Sequence, residues 1–383
     1  MMDRESRNYR KSFIPILKAK PFAIEPLWRS IDTGKNVYTA EMMQCLKGEV
    51  ERIKSIANLP QRSCYKPLSE SAFVYVEDPK SLELMISDIE KAGEVAIDLE
   101  HNDSRSYRGI TCLIQLSTRD KDYIVDPFPL FDHLETLNQI TANPKIRKTL
   151  HAGELDILWL QRDFGVYVVN MFDTSQAAQM IGVEGGHGLA NLVKFFCDVS
   201  TNKDYQMADW RQRPLTEGML AYARIDTHFL LHIRDRLEEM ILTQGSPGIV
   251  TVWGRKMLVS VYEKSFGISM RTYEDVPPDY EAASLKKFLQ KLPGHKAGAA
   301  KSDPRVTSAL LALLKWRDDL ARQLDESKHF VLSNVDCLKL ANALPSSASQ
   351  IQRLVGNAGR RAYPGRNLTN QDAEALYHCM RNK

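Results

Sequence analysis

The sequence predicts an α/β domain, built on a mixed sheet flanked by helices, followed by a compact all-α bundle. Three observations carry this expectation. Short runs rich in Val, Ile and Tyr come first in succession and then alternate with helical segments, the pattern of a sheet covered on both faces. From residue 301 strand-like runs cease and four amphipathic segments follow. Residues 246–300, between the two patterns, are rich in Pro, Gly and charge and read as a connector. At 383 residues the chain exceeds one ordinary core. The division is a lead-in wrapped over the α/β domain (1–66), that domain (67–245), the connector (246–300) and the bundle (301–383).

Taken in order, "IDTGKNVYTAEMMQCLKGEVERIKSIANLP" reads as one helix ending at Pro60. "AFVYVED" is a strand, and "PKSLELMISDIEKAG" a helix with Pro at its start and Gly93 at its end. "VAIDLE", "ITCLIQLS" and "DYIVDP" are three successive strands. "LFDHLETLNQITAN" is a helix, "RKTLHA" a short strand, and "GELDILWLQRDFG" a helix stopped at Gly165. "LTEGMLAYARIDTHFLLHIRDRLEEMI" reads as a single helix. The bundle comprises "SALLALLKWRDDLARQLD", "NVDCLKLANALP", "SASQIQRLVG" and "TNQDAEALYHCM".

Composition excludes several classes. Hydrophobic content of 43% and charged content of 26% are those of a globular chain. No apolar run approaches the roughly 18 residues that cross a bilayer, so no membrane partner is expected. The first residues, "MMDRESRNYRKSF", lack an apolar signal core, so secretion is not expected. The six cysteines are scattered with no C-x-x-C pair, which argues for a reduced compartment and against a zinc ribbon or disulfide scaffold. A net charge of +3 permits nucleic-acid binding without arguing for it.

The chemistry starts at "VAIDLEHN", where Asp98 and Glu100 lie two apart and therefore on one face of a strand. An isolated pair of this kind is more often a solvated strand end. Asp156 interrupts the apolar helix "GELDILWLQ", an expensive place for an acid without a partner. "YARID" sets Tyr222 and Asp226 four apart on one helical face. Each alone is ordinary. Together they are four carboxylates and a phenol on a strand, a helix and a later helix, which is what two hard divalent cations require. The phenol, with an ordinary pKa near 10, suits the orientation of a water better than its deprotonation.

This order of residues resembles the DEDD-Y family of 3′→5′ exonucleases, in the RNase D-like branch of the ribonuclease H-like (DnaQ-like) fold. "VAIDLEHNDSRSYRGITCLIQLSTRDKDYIVDP", "LHAGELDILWLQRDFGVYVVNMFDT", "NKDYQMADWRQRPL" and "MLAYARIDTHFLL" are similar to the branch associated with the eukaryotic nuclear exosome. The resemblance extends over residues 8–383 and makes the bundle a helicase-and-RNase-D C-terminal (HRDC) domain. It implies that Asp98, Glu100, Asp156 and Asp226 hold two Mg²⁺ ions, with Mn²⁺ as a substitute, and that Tyr222 orients the attacking water. The implied reaction releases nucleoside 5′-monophosphates from the 3′ end of single-stranded RNA. It further implies work in nuclear RNA processing and decay, rRNA included, and a nuclear, nucleolar location. The implied partners are the RNA exosome core and a small nuclear cofactor protein. The relatives bind that cofactor through an N-terminal domain, and this sequence begins at the exonuclease lead-in, which leaves open that it is a piece of a longer chain. Alternatives are a stand-alone RNase D-like enzyme that trims tRNA 3′ ends, a DNA exonuclease, or a catalytically silent RNA-binding scaffold.

The sequence departs from the family at three points. Ile225 stands where an acid is common, Glu154 where an Asp is usual, and Gly188 where a Ser often caps a helix. Other residues carry two open readings. His101 either approaches the terminal phosphate or satisfies loop backbone, and His151 reads as a packed strand-end residue. Gln115 either touches substrate or hydrogen-bonds within the sheet. Trp159 either stacks under the terminal base or fills core. Lys203, Tyr205 and Arg211, with Trp210 and Arg213, either contact a single strand or brace the fold. Asp173 and Asp209 show no metal-facing pattern. "GNAGRRAYPGRN" reads as a phosphate grip or a solvated basic loop.

Overall fold

The computed structural model describes residues 16–31, 35–59, 64–275, 280, 285, 289, 303–355 and 367–381, without the side chains of residues 30, 31 and 203. Its contacts separate two compact units. One comprises Ile14–His101 and Thr111–Tyr273; the other groups Asn102–Ile110 with Glu274–Lys383 and the first residues of the chain.

Among the described residues the first unit is built on a six-stranded sheet, in the order β1-β4-β3-β2-β5-β6. The strands are β1 (Ala72–Val76), β2 (Glu94–Asn102), β3 (Ile110–Ser117), β4 (Lys121–Val125), β5 (Arg147–Leu150) and β6 (Met171–Asp173). Pairs β1/β4, β2/β5 and β5/β6 are parallel and β3/β4 is antiparallel, so the sheet is mixed, as the sequence implied.

Helix α1 (Thr39–Ser55) is shorter than expected. The Asn36 side chain accepts from Tyr38 N and donates to Ser269 and Arg271 carbonyls, which holds the preceding residues in a turn instead. The lead-in is tied down by Glu135, which accepts from Lys18 N and Ala19 N. Helix α2 (Pro79–Ala92) follows its sequence signals closely: Asp78 caps it reciprocally with Ser81, and Gly93 ends it in the left-handed region at φ 70°. Leu82, Met85, Ile86 and Ile89 of α2 pack against Val95, Ile97 and Leu99 of β2 and Ile114 and Leu116 of β3.

The expected helix over "LFDHLETLNQITAN" is a correction. Pro127–Leu130 is one α-turn, Phe131–Leu137 a 3-10 stretch, and Asn138–Thr141 another α-turn. Asn138 explains the tightening, because its amide donates to Glu135 O and Gly165 O while its oxygen accepts from Tyr167 N. After β5 come α3 (Glu154–Phe164), α4 (Thr174–Ile181) and α5 (Leu189–Cys197). Gly188 caps α5 without a side-chain bond.

The long helix read from Leu215 to Ile241 is also corrected. It is two helices, α6 (Glu217–His228) and α7 (Leu230–Leu242), joined at Phe229. The flanking side chains are committed elsewhere: His228 bonds Asp122 and the Lys66 carbonyl, and Phe229 meets the ring edge of Tyr65. Helix α8 (Val252–Ser269) falls in the stretch read as a connector and adds Leu258, Val261 and Tyr262 to a core with α4, α5 and α7.

The second unit contains α9 (Pro304–Leu324), α10 (Asn334–Ala343), α11 (Ala348–Val355) and α12 (Asn370–Arg381), packed on Leu310, Leu313, Leu314, Leu338, Ile351 and Leu376. The loop after β2 belongs to this unit. Tyr107 donates its hydroxyl to Asp318 at 2.6 Å and its backbone N–H to Asp325, while Arg105 forks onto Glu326. The basic loop at residues 356–366 lies outside the described residues.

Candidate metal centre

Side chains alternate along β2, so one face carries Val95, Ile97 and Leu99 into the core with α2, and the other carries Glu94, Ala96, Asp98 and Glu100. The second face meets α7 and α6, whose numbering falls as that of β2 rises. Glu94 pairs with Arg234 at 2.7 Å, and the small Ala96 clusters with Leu230 and Leu231. Beyond them Asp226 reaches Asp98 and Glu100. One oxygen from each of these three carboxylates lies within 4.8 Å of the others. Asp156 stands outside that group, on the first turn of α3, but near enough for its charge to act on Glu100. The backbone before α3 is held by Asp173, which accepts from Gly153 N at 2.9 Å and caps α4 through Gln176 N. Gly165 ends α3 at φ 63°, where a side chain would be strained.

Electrostatics set these four acids apart. Burial, then Asp98, Asp226 and Asp156, push Glu100 up to about 10. Burial raises Asp98 to about 7, and burial followed by Asp98 raises Asp156 and Asp226 well above the carboxylate range. Three other buried acids behave oppositely, whereas burial raises Asp173 as well. Burial also works against Asp122, Asp126 and Asp163, but His228 with Arg224, Arg213, and Arg162 respectively outweigh it and hold each below its ordinary value. Four buried acids, of which Asp98 raises the other three, with carboxylates as their principal charged neighbours, form a hard-oxygen site that a divalent cation satisfies. The donor set fits such an ion.

Tyr222 lies on the same stripe of α6 as Asp226, half-buried. Burial, then Asp226, Glu100 and Asp98, raise its phenol above the ordinary value, so the hydroxyl keeps its proton. Ile225 is instead partly buried and packs against the hydrophobic cluster that contains Val193 and Leu237.

His101 and Trp159 are stacked, with ring centres 4.0 Å apart and planes within 4°. Arg162 Nη2 lies 3.1 Å from His101 Nε2; an arginine only donates, so that nitrogen accepts and the neutral ring carries its proton on Nδ1. The sequence reading missed Arg162, although its place three residues after Trp159 was a usable signal. Gln115 is buried, and its amide has no partner among the described residues, so of its two readings the hydrogen bond within the sheet is not formed. His151 bonds Thr174, and burial with His187 lowers it to about 4.

The 202–214 loop is braced rather than open. Arg213 forks onto Asp126 and also donates to the Trp210 and Cys112 carbonyls. Arg211 pairs with Asp209, and Trp210 is 1% exposed with its ring 6.0 Å from that of Tyr222. Tyr205 also approaches Tyr222, while the side chain of Lys203 lies outside the described residues. Arg213→Ala removes the partner of a buried carboxylate and is expected to cost about 3 kcal/mol, read as a lower urea midpoint; an unchanged midpoint would show that the brace is energetically idle.

A family model described as 3′-5′ exonuclease matches residues 73–242, and one described as HRDC domain matches residues 307–364. Exosome complex component 10 homolog of Caenorhabditis elegans is 40% identical over 300 residues, 77% of this chain and 32% of that protein. Exosome complex exonuclease RRP6 of Saccharomyces cerevisiae is 35% identical over 385 residues, 95% of this chain and 51% of that protein. The chain thus spans a third to a half of the length of these curated relatives. The crystal structure of the catalytic core of RRP6 from Trypanosoma brucei superposes with a TM-score of 0.71 at 32% identity, covering 86% of each chain. Escherichia coli RNase D shares the fold, with a TM-score of 0.57 at 22% identity over 80% of this chain and 74% of that one. Identity at this level across most of a solved catalytic core reflects descent and not architecture alone, and the chain belongs to the RNase D-like family of 3′–5′ exonucleases typified by RRP6.

Proposed function

We propose that this chain is a two-metal-ion-dependent 3′→5′ exoribonuclease that releases nucleoside 5′-monophosphates. The observation that carries the reading is the convergence of Asp98, Glu100 and Asp226, with Asp156 beside them, where the other three acids all raise Glu100. On this reading the four carboxylates hold two Mg²⁺ ions, replaceable by Mn²⁺. Such a pair, when bound, supplies Lewis-acid stabilisation of the phosphate and of the attacking and leaving oxygens. Tyr222 orients the attacking water through a hydroxyl that keeps its proton. The His101–Trp159 stack offers an aromatic face to the terminal base, and Arg162 fixes its tautomer. Arg211, with Lys203 from the same loop, completes the proposed substrate surface, from which the fully buried Gln115 is left out. The exonuclease domain is assigned to 67–245 and the HRDC domain to 301–383.

By kinship with RRP6, the proposed setting is nuclear processing and decay of rRNA and other structured RNAs, with the exosome core and a small nuclear cofactor protein. A single-stranded RNA labelled at either end, incubated with Mg²⁺, tests the activity. The 3′-labelled strand should release labelled mononucleotide at once while the 5′-labelled strand shortens stepwise; internal fragments would sink the reading. A matched DNA strand tests sugar choice, since a preference for RNA needs a contact to the 2′-hydroxyl.

The pKa shifts give a second test that does not read activity. In the metal-free protein Asp98 and Glu100 bind protons more tightly when folded, at about 7 and about 10, than an unfolded carboxylate does near 4. Their contribution to stability is therefore present at low pH and is lost as pH rises from about 4 through those values. Mg²⁺ should raise the melting temperature more at about pH 8 than at about pH 5.5, because cations compete with protons for the same oxygens. Equal shifts at both pH values would contradict the assignment.

A further inference from the structure

Gly218, Tyr222 and Asp226 are spaced by four along α6 and share one stripe. Tyr205, from the 3-10 turn Lys203–Met207, lies along it. A Cβ placed on Gly218 would come within 2.8 Å of Tyr205 Cζ and closer still to its hydroxyl oxygen, so the ring occupies space that only glycine leaves. The same ring reaches Tyr222, with centres 6.0 Å apart at 49°, and Trp210 reaches Tyr222 at 6.0 Å and 36°. Both rings come from one braced loop: Asn202 caps its start through Asp204 N, and Arg213 holds the Trp210 carbonyl at 2.9 Å.

We propose that Tyr205 and Trp210 are positioning residues that hold the Tyr222 phenol in its working orientation, with glycine at 218 as the seat for Tyr205. The inference rests on the reading that Tyr222 orients the attacking water. A half-buried phenol at the site samples several side-chain rotamers, and aromatic contacts bias it towards one. An alanine at 218 displaces Tyr205, whose hydroxyl end can swing away, so the fold tolerates the change while the orientation is lost. This distinguishes the proposal from a general packing role, in which activity and stability fall together. It also distinguishes it from a direct contact between Tyr205 and RNA.

The test uses the whole 383-residue chain with Mg²⁺ and a 5′-labelled single-stranded RNA oligonucleotide. Gly218→Ala, Tyr205→Phe and Tyr205→Leu are each made in the native and the Tyr222→Phe backgrounds, with kcat, KM and melting temperature recorded. Gly218→Ala and Tyr205→Leu should each lower kcat about tenfold, the scale of lost aromatic contacts, with KM nearly constant. Tyr205→Phe, which keeps the ring, should stay near native. In the Tyr222→Phe background neither Gly218→Ala nor Tyr205→Leu should slow the enzyme further, because the oriented hydroxyl is already absent. The melting temperature of Gly218→Ala should hold. Should Gly218→Ala misfold, the Tyr205→Leu pair decides alone. A raised KM with native kcat would make Tyr205 an RNA contact and overturn the proposal, as would penalties that persist undiminished without the Tyr222 hydroxyl. A slow Tyr222→Phe beside a native-rate Tyr205→Leu sinks this inference only, whereas a native-rate Tyr222→Phe sinks the reading of Tyr222 beneath it.

Discussion

Replacing Asp98 with Asn should slow nucleotide release by on the order of 10³-fold or more while raising the melting temperature of the metal-free chain. The two effects share a cause. Asp98 is the carboxylate that acts on Glu100, Asp156 and Asp226, and it raises each of them. Without a cation and above about pH 7, where Asp98 ionises, its charge is unfavourable among the neighbouring acids, so an amide of the same shape relieves the folded state. With a cation, the amide is a weaker ligand and the charge that holds the ion falls. Activity in Mg²⁺ and melting temperature in chelator, measured on the same variant, should therefore move in opposite directions. A variant that loses both would mark Asp98 as structural.

Tyr222→Phe should lower kcat by about 10²-fold, with KM nearly unchanged. The phenol is raised first by burial and then by Asp226, Glu100 and Asp98, so its hydroxyl stays protonated in the neutral range. On the proposed reading it therefore acts by holding a water in line and not by taking its proton. The loss should accordingly be smaller than that of Asp98→Asn, and the pH profile of the residual rate should keep the native shape. A changed alkaline limb in Tyr222→Phe would show the hydroxyl acting as a base.

Much of the site could be read from the chain because local rules suffice for it. Alternation along a strand puts Asp98 and Glu100 on one face, and a spacing of four puts Tyr222 and Asp226 on another. The Asp78 cap, Pro79 and Gly93 likewise bound α2 with only neighbouring residues involved. The readings that failed are those in which a distant partner outbid local preference. Asn138 bonded Gly165 and Tyr167 and tightened a helix into a 3-10 stretch, and His228 turned to Asp122 and Lys66 where one long helix was expected.

His101 and Trp159 show the same limit at the site. Both were visible as candidates, yet their stack needs β2 and α3 to meet, and Arg162 joins only through that meeting. Tyr205 offers no local hint that it sits on Gly218, thirteen residues away across a loop. The sequence by itself determined which chemistry was affordable: four acids and a phenol, on element types whose periodicity orients them. Only the tertiary structure decided how those faces meet, through Glu94 on Arg234 and Ala96 under Leu230 and Leu231, which lay α7 and α6 along β2. Periodicity is a property of one segment, whereas convergence depends on packing between segments that the chain order does not specify.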